Sequence, residues 1–145
     1  MKLELKILGI PQPKQSARFA IQKFGSKQYA KAYQPDKVVQ NERNIAFDVK
    51  SQLPEDFTPF DQALKAKVLY VFPPLKGFSK AKLSDLRGGK KIYKETKPDL
   101  QNNLNKGLFD ALEGVVYTKD SLICKVECEK IYGLVPRIEI EIEKL

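Results

Sequence analysis

The segment "PRIEIEIEKL" constrains the fold most, because isoleucine and glutamate alternate in it without a break. On an extended chain, Ile138, Ile140 and Ile142 fall on one side and the glutamates between them fall on the other. This alternation predicts a β-strand over 137–143 with one apolar face. A chain that contains such a strand needs a sheet to accept it and a layer to cover its apolar side.

A second strand is predicted just before it, over 122–132, where apolar residues again recur at every other position. Gly133 and Pro136 lie between the two strands, so we expect a terminal antiparallel hairpin. Cys124 and Cys128 would then be small core residues. They would lie about 13 Å apart along the strand, which is too far for a disulfide bond.

The rest of the chain adds strands and helices in a mixed order that predicts an α+β fold. Its 145 residues are enough for one domain, 1–145, with a mixed or antiparallel sheet and helices packed on it. The further elements are strands at 2–10 and 63–72, a hairpin around 17–23 and 28–31, a helix from Pro35 to Leu53, and a short helix from Ser79 to Leu86.

Composition excludes several classes of protein and site. No apolar run is long enough to cross a membrane, and the start "MKLELKILGI" is unlike a signal peptide, so we expect a cytoplasmic protein without a membrane partner. The chain contains no histidine, which excludes a Ser-His-Asp triad and a histidine-containing zinc site within one subunit. Carboxylates that bind a hard cation such as Mg²⁺ stay possible.

The net charge of +8 is concentrated in two segments. Residues 1–50 carry ten basic and four acidic side chains, and residues 76–97 carry eight basic and two acidic ones. Carboxylates prevail in 98–145. Basic segments attract a polyanion such as DNA by releasing its counterions, although ordinary solubility would also explain them.

The segment "KPDLQNNLNKGLFDALEGVVYTKD" predicts a helix with two distinct faces. Leucines at 100, 104 and 108 with Ala111 form a core face at helical spacing. Polar residues step along the other side by three, four and four positions. This polar line consists of Asp99, Asn102, Lys106 and Asp110.

Such a line is either a solvated helix face or a catalytic site. Asp120 follows the apolar stretch "GVVYT", which we expect to return along the helix as a strand, and the loop before Asp99 is strongly basic. Carboxylates beside a lysine suit metal-assisted phosphodiester hydrolysis, in which Mg²⁺ polarises the phosphoryl oxygen and activates water. The lysine would offset the charge of the transition state.

The same segment resembles the RusA family of Holliday junction resolvases, together with the closing "PRIEIEI". The typical family pattern is Lys-Pro-Asp-x-Asp-Asn-Leu-x-Lys, then Asp-Ala-Leu, then Asp-Asp-Ser-Gln. Asp99 matches the first catalytic aspartate, Lys106 the lysine, and Asp120 the final catalytic aspartate. Asp110 begins the matching Asp-Ala-Leu.

The sequence departs from this pattern between Asp99 and Lys106, where it has one additional residue. Counting back from Lys106 places Asn103 on the family asparagine and Asn102 on the second catalytic aspartate. An amide keeps one acceptor oxygen but loses the negative charge, which weakens a site for a hard cation. A junction-binding protein without cleavage, natural or engineered, is therefore an alternative to an active nuclease.

The resemblance implies a Mg²⁺-dependent homodimer, bacterial or encoded by a phage or prophage, that cuts two strands of a four-way DNA junction symmetrically. It implies catalytic roles for Asp99, Asn102, Lys106 and Asp120, with Asp99, Asn102 and Asp120 on the metal and with Asn103 and Asp110 in support.

A basic nucleic-acid-binding module with surface carboxylates is a third reading. The expected DNA-positioning residues are Lys14, Arg18, Lys23, Lys27, Lys90 and Lys91.

Overall fold

A five-stranded mixed sheet forms the centre of the protein in the computed structural model. The structure describes residues 2–14, 18–24, 27–33 and 36–145, with side chains over 2–14 and 36–145. The strands of the main sheet are β1 (Lys2–Leu8), β4 (Leu64–Phe72), β5 (Ile92–Tyr93), β6 (Ile123–Tyr132) and β7 (Arg137–Lys144). Their order is β1-β7-β4-β6-β5, and β4 and β6 are the parallel pair.

The helices and a separate hairpin complete the described chain. Strands β2 (Arg18–Phe24) and β3 (Lys27–Tyr33) form a two-stranded antiparallel sheet, as expected from the sequence. The helical elements are α1 (Asp36–Gln52), α2 (Lys80–Arg87), a π-helix (Leu100–Asn105), α3 (Lys106–Leu112) and a 3-10 turn (Asp120–Leu122). The predicted α+β class is confirmed, and so are the helices predicted from Pro35 to Leu53 and from Ser79 to Leu86, although Pro35 itself lies outside the described residues.

The core lies between one face of the sheet and the helices. The inward side chains of β7 are the predicted isoleucines at 138, 140 and 142, and all three are buried. On β4 the inward residues from Leu64 to Phe72 alternate as expected, and Val68 and Tyr70 lie at the centre. The opposite face of the sheet carries charged side chains such as Glu4, Lys67 and Glu141.

Helix α1 supports this arrangement at the edge of the sheet. It buries Val38, Ile45 and Val49, and it contacts both β1 and α3. At its carboxyl end, the Gln52 side chain bonds to the main chain of Lys6, accepting from the Lys6 N–H at 3.0 Å and donating to the Lys6 carbonyl at 2.7 Å. The outer edge of β1 is thereby paired at this position.

The predicted terminal hairpin is wrong, because β6 and β7 do not pair with each other. β4 lies between them, parallel to β6 and antiparallel to β7. The connection begins at Gly133, whose N–H bonds to the Phe72 carbonyl at 2.8 Å as it passes over the end of β4. Alternation predicts which face a residue occupies but carries no information about the neighbouring strand, so the partner could not be read from the pattern.

Two smaller predictions also fail. The segment "GVVYT" is a turn held by isolated bridges from Tyr117 to Phe60 and to Glu113, and it is not a strand. Cys124 is exposed and Cys128 is half-buried, so Cys124 is not a core residue. Cys124 lies near the start of β6, where the side chains from 124 to 127 are exposed.

Candidate active site

The π-helix and α3 present the two faces that the sequence predicted. Leu104, Leu108 and Ala111 are buried against the sheet, and Leu100 packs at the margin of the core. Asp99, Asn102 and Lys106 are exposed on the other side. The leucine face thus anchors the segment and turns the polar line toward solvent.

The turn that begins at Asp99 holds one residue more than an α-helical turn. The Leu104 N–H donates to the Asp99 carbonyl at 3.0 Å, which is a bond across five residues instead of four. A π-turn of this kind forms where a single residue is added to an α-helix. Its place coincides with the additional residue that the sequence comparison found between Asp99 and Lys106.

Asn103 joins this turn to the loop that follows β1. Its side-chain oxygen accepts from the Asp99 N–H at 3.3 Å, and its amide group donates to the Lys14 carbonyl at 3.0 Å. The Lys14 N–H in turn donates to the Asn103 carbonyl at 3.1 Å. One side chain therefore connects Asp99 with a distant loop, and the supporting role expected of Asn103 stays a prediction.

The Lys14 ammonium group lies between two carboxylates. It is 2.7 Å from Oε1 of Glu42 on α1 and 2.8 Å from Oδ2 of Asp110 on α3, and its side chain is 11% exposed. Burial lowers the pKa of Lys14, but the two carboxylates outweigh burial and raise it above the ordinary value. Asp110, although part of the predicted polar line, therefore points toward Lys14, and the DNA contact expected of Lys14 stays a prediction.

The last residue of the π-helix is tied to the central strands. The Tyr70 hydroxyl donates to Oδ1 of Asn105 at 2.7 Å, and the Asn105 amide group lies 3.4 Å from Sγ of Cys128. Burial is the main reason that the pKa of Tyr70 is raised, so its hydroxyl keeps its proton. Sequence reasoning missed this contact, although a tyrosine at an inward strand position requires a partner for its hydroxyl.

The residues just before Asp99 are held by another strand residue. Lys130 on β6 donates from its ammonium group to the Thr96 carbonyl at 2.6 Å and to the Pro98 carbonyl at 2.8 Å. Sequence reasoning missed Lys130 as well. Its signal was a charged residue at an inward position of the strand, two residues after Cys128 and two before Tyr132.

Asp120 lies at the other end of the same helical segment. Its N–H donates to Oε2 of Glu113, the residue that follows α3, at 3.1 Å. The neighbouring Tyr117 hydroxyl donates to the Phe109 carbonyl at 2.5 Å. Burial first, and then the charges of Asp120, Glu113 and Asp110, raise the pKa of Tyr117. The structure thus groups Asp99 with Asn102 and Lys106, and it places Asp120 beside the carboxyl end of α3.

The donors at the Asp99 end fit a weak site for a hard cation. Among the residues that the structure describes, no group of three or more histidine, cysteine, aspartate or glutamate residues could hold a metal ion. Mg²⁺, however, is commonly held by one or two carboxylates together with water and substrate phosphate. The exposed Asp99 carboxylate and the Asn102 amide oxygen supply one charged and one neutral donor.

The other predicted DNA-positioning residues have different surroundings. The ammonium group of Lys90 lies 3.6 Å from Asp85, and that of Lys91 lies 2.8 Å from Glu129 on the face of the sheet away from the helices. Lys106 forms no ion pair with any residue in the described part of the chain. Arg18, Lys23 and Lys27 are in the β2–β3 hairpin, but their side chains lie outside the described residues.

A family model for the endodeoxyribonuclease RusA matches residues 11–143, which include every site residue named above. The chain belongs to the RusA family. Membership in this family indicates an endonuclease of the Holliday junction resolvase type, and the family identification predicted from the polar line and its spacing is confirmed.

Another protein is similar to this RusA-family chain. The uncharacterized protein YqaN of Bacillus subtilis (strain 168) is 29% identical over 101 residues, which are 70% of each chain. Within the described residues of this RusA-family protein, no helix is both long and apolar enough to cross a membrane.

Proposed function

We propose that this protein binds four-way DNA junctions and cleaves them as a Mg²⁺-dependent endonuclease. The observation that carries the proposal is the exposed line of Asp99, Asn102 and Lys106, built on a helical segment whose opposite face is buried. Family membership supports nuclease activity on branched DNA. The +8 charge of the whole chain favours a polyanionic substrate.

In this proposal each residue of the line has a distinct task. Asp99 and the Asn102 amide oxygen hold the cation, which when bound polarises the scissile phosphate and lowers the pKa of a water molecule. Lys106 follows both residues along the helical segment, and its ammonium group forms no ion pair with any described residue. It would stabilise the negative charge that develops on the phosphate during hydrolysis.

Asp120 is proposed as a further metal ligand. Its position beside Glu113 supports this role less directly than the position of Asp99 does. An Asp99→Asn variant and an Asp120→Asn variant distinguish the two contributions. If both aspartates bind the same cation, each change raises the Mg²⁺ concentration for half-maximal cleavage. If only Asp99 binds it, the Asp120 variant keeps the original Mg²⁺ dependence.

The alternative is a protein that binds junctions without cutting them. Asn102 favours this alternative, because the family pattern has a carboxylate at that position and an amide attracts Mg²⁺ less strongly. The residue is exposed, so an aspartate would fit there without a change in packing. The two functions therefore differ by one charge at one site.

A paired assay tests the proposal. The natural chain and an Asn102→Asp variant are incubated with a labelled four-way junction and Mg²⁺, and binding and nicking are both measured. We expect both proteins to prefer the junction over duplex DNA and the variant to cut at lower Mg²⁺ concentration. Full-rate cutting by the natural chain would eliminate the idea that Asn102 disables it, and equal binding to duplex would contradict junction selectivity.

We also propose that the active form is a homodimer. A dimer with two-fold symmetry presents two identical sites to the two equivalent strands of a junction, which permits paired cuts. Sedimentation analysis gives the subunit number in solution. A supercoiled plasmid with an extruded cruciform then distinguishes paired cuts, which produce linear DNA, from single nicks. A monomer that produces only nicked circles would contradict this part of the proposal.

A further inference from the structure

Lys130 is an unusual residue for its position in the sheet. It is paired in register with Tyr70 on the parallel strand β4, and it follows Cys128 and precedes Tyr132 on the inward side of β6. Charged side chains are rarely placed on the inward face unless something compensates them. Among the described residues Lys130 has no carboxylate partner, so its compensation must be sought elsewhere.

The compensation comes from the main chain that leads into Asp99. The Lys130 ammonium group donates to the carbonyl oxygens of Thr96 and Pro98 at 2.6 and 2.8 Å. The second of these carbonyls belongs to the peptide unit that contains the Asp99 N–H. That N–H is bound at 3.3 Å by Asn103, so both ends of one peptide unit are fixed by side chains.

Lys94, the residue that follows β5, reinforces the connection between this segment and β6. Lys94 donates its N–H to the Lys130 carbonyl at 3.0 Å, and its ammonium group donates to Oγ1 of Thr96 at 3.0 Å. The segment from Lys94 to Pro98 is therefore attached to β6 through both the backbone and the side chain of Lys130. A charged donor with two acceptor oxygens forms stronger bonds than a neutral one.

We propose that Lys130 is a positioning residue for the nuclease site, and that it orients Asp99 by holding the Thr96 and Pro98 carbonyls. This inference rests on the proposed function for its catalytic consequence but not for its structural one. Lys130 does not contact the cation or the phosphate in this scheme. It acts through the peptide unit before Asp99, as residues behind a metal ligand do when they fix the ligand's direction.

The test compares Lys130→Met, Lys130→Arg and the control Lys125→Met with the natural chain. Methionine keeps a long apolar side chain without the donor, and arginine keeps the charge and donors. Lys125 is an exposed lysine on the same strand. Amide hydrogen exchange reports on the structure, and binding of Mn²⁺ in place of Mg²⁺, followed by its electron paramagnetic resonance signal, reports on the site.

For Lys130→Met we expect faster exchange of the amides from 96 to 104 and unchanged exchange in β1 and β7, because only a local opening becomes easier. We expect Mn²⁺ affinity to fall about tenfold, the lower end for loss of a residue behind a metal ligand. Lys130→Arg should restore most of both properties, and Lys125→Met should change neither.

Unchanged amide exchange near Asp99 in Lys130→Met would overturn the proposal. Exchange that rises equally throughout the sheet would also overturn it, because Lys130 would then stabilise the whole fold and not this segment in particular. If the natural chain binds no Mn²⁺ and cuts no junction, the proposed function fails. The exchange measurement still decides whether Lys130 holds the segment. Failure of the two ideas is thus distinguishable.

Discussion

At the level of single residues, close packing decides where the chain can cross itself. Gly133 passes over β4 so closely that a Cβ atom on it would lie 2.6 Å from Cγ1 of Val71. Val71 is 1% exposed, and its branched side chain has little freedom to rotate away. The connection between β6 and β7 therefore requires a glycine for reasons of space.

We expect Gly133→Ala to lower the free energy of unfolding by about 1–3 kcal/mol, because the added methyl group overpacks a well-filled site. Gly77→Ala is the matched control, since a Cβ at this exposed position would meet nothing within 4 Å. Its effect should stay within about 0.5 kcal/mol. Denaturant-induced unfolding measures both, and equal effects would show that packing against Val71 is not the cause.

Sequence reasoning succeeded at this level where a side chain's role depends on local spacing. The exposed Asp99, Asn102 and Lys106 and the buried leucines followed from helical periodicity. The contacts of Lys14, Tyr70 and Lys130 did not, because their partners are far away in the sequence and no local pattern encodes such distances. Lys14, for example, meets an acceptor on α1 and another on α3.

At the level of elements, the π-helix shows how the chain accommodates an additional residue. An inserted residue in an α-helix would rotate everything beyond it by about 100° and move the leucine face away from the core. The wider turn absorbs the residue locally, so that Leu104 and Leu108 stay buried. The sequence indicated the insertion, but periodicity alone predicted an ordinary helix.

Deletion of Gln101, an exposed residue in this turn, should convert the π-turn into an α-turn. We expect the free energy of unfolding to change by less than about 1 kcal/mol, since the Leu104 bond to the Asp99 carbonyl is retained. Deletion of Asn44, exposed in the middle of α1, is the control. It would turn Ile45 and Val49 out of the core at about 1.5–3 kcal/mol each. Similar losses in both deletions would contradict this role of the π-turn.

The ion pairs that join α1 and α3 through Lys14 predict a dependence of stability on alkaline pH. A group whose pKa is raised in the folded state stabilises that state fully when the pH is below its pKa in the unfolded chain, which is 10.5 for lysine and 10.0 for tyrosine. This contribution is lost as the pH rises through the pKa of the folded state. Since the pKa values of Lys14 and Tyr70 are both raised, the free energy of unfolding should fall above about pH 10.

Lys14→Met and Tyr70→Phe should each make this fall shallower, because each removes one group that binds its proton more tightly when folded. Lys14→Met should also cost about 1.5–3 kcal/mol at neutral pH, since it leaves Glu42 and Asp110 without their shared cation. Urea titrations at several pH values provide the measurement. A fall that is equally steep in all three proteins would mean that neither group controls it.

At the level of the whole molecule, charge is divided between the two faces of the sheet and the segments around the site. The face away from the helices carries ion pairs between strands, such as Lys65 with Glu127 and Lys2 with Glu141. Lys91 belongs to this face through Glu129, whereas Lys90 lies in the exposed loop after α2. The sequence predicted both as DNA contacts because it could not assign them to faces.

The salt dependence of junction binding is the slope of the logarithm of affinity against the logarithm of salt concentration. We expect Lys90→Ala to make this slope shallower by up to about 0.9, the value for one released counterion. Lys91→Ala should leave the slope nearly unchanged, because the Lys91 ammonium group lies 2.8 Å from Glu129 on the face of the sheet away from the helices, whereas the ammonium group of Lys90 lies 3.6 Å from Asp85 in a longer and more exposed ion pair. Binding titrations at four salt concentrations compare them. A larger effect from Lys91 would place the DNA on the other face of the sheet.

The bond pair between Gln52 and Lys6 has a consequence for how two chains can assemble. An added strand along β1 would need the Lys6 N–H and carbonyl, and both are already bound to Gln52. At the opposite edge, β5 pairs with only the last two residues of β6, Ile131 and Tyr132. A subunit interface that merges two sheets along β1 would therefore have to break the bonds of Gln52, which favours assembly through another surface of the protein.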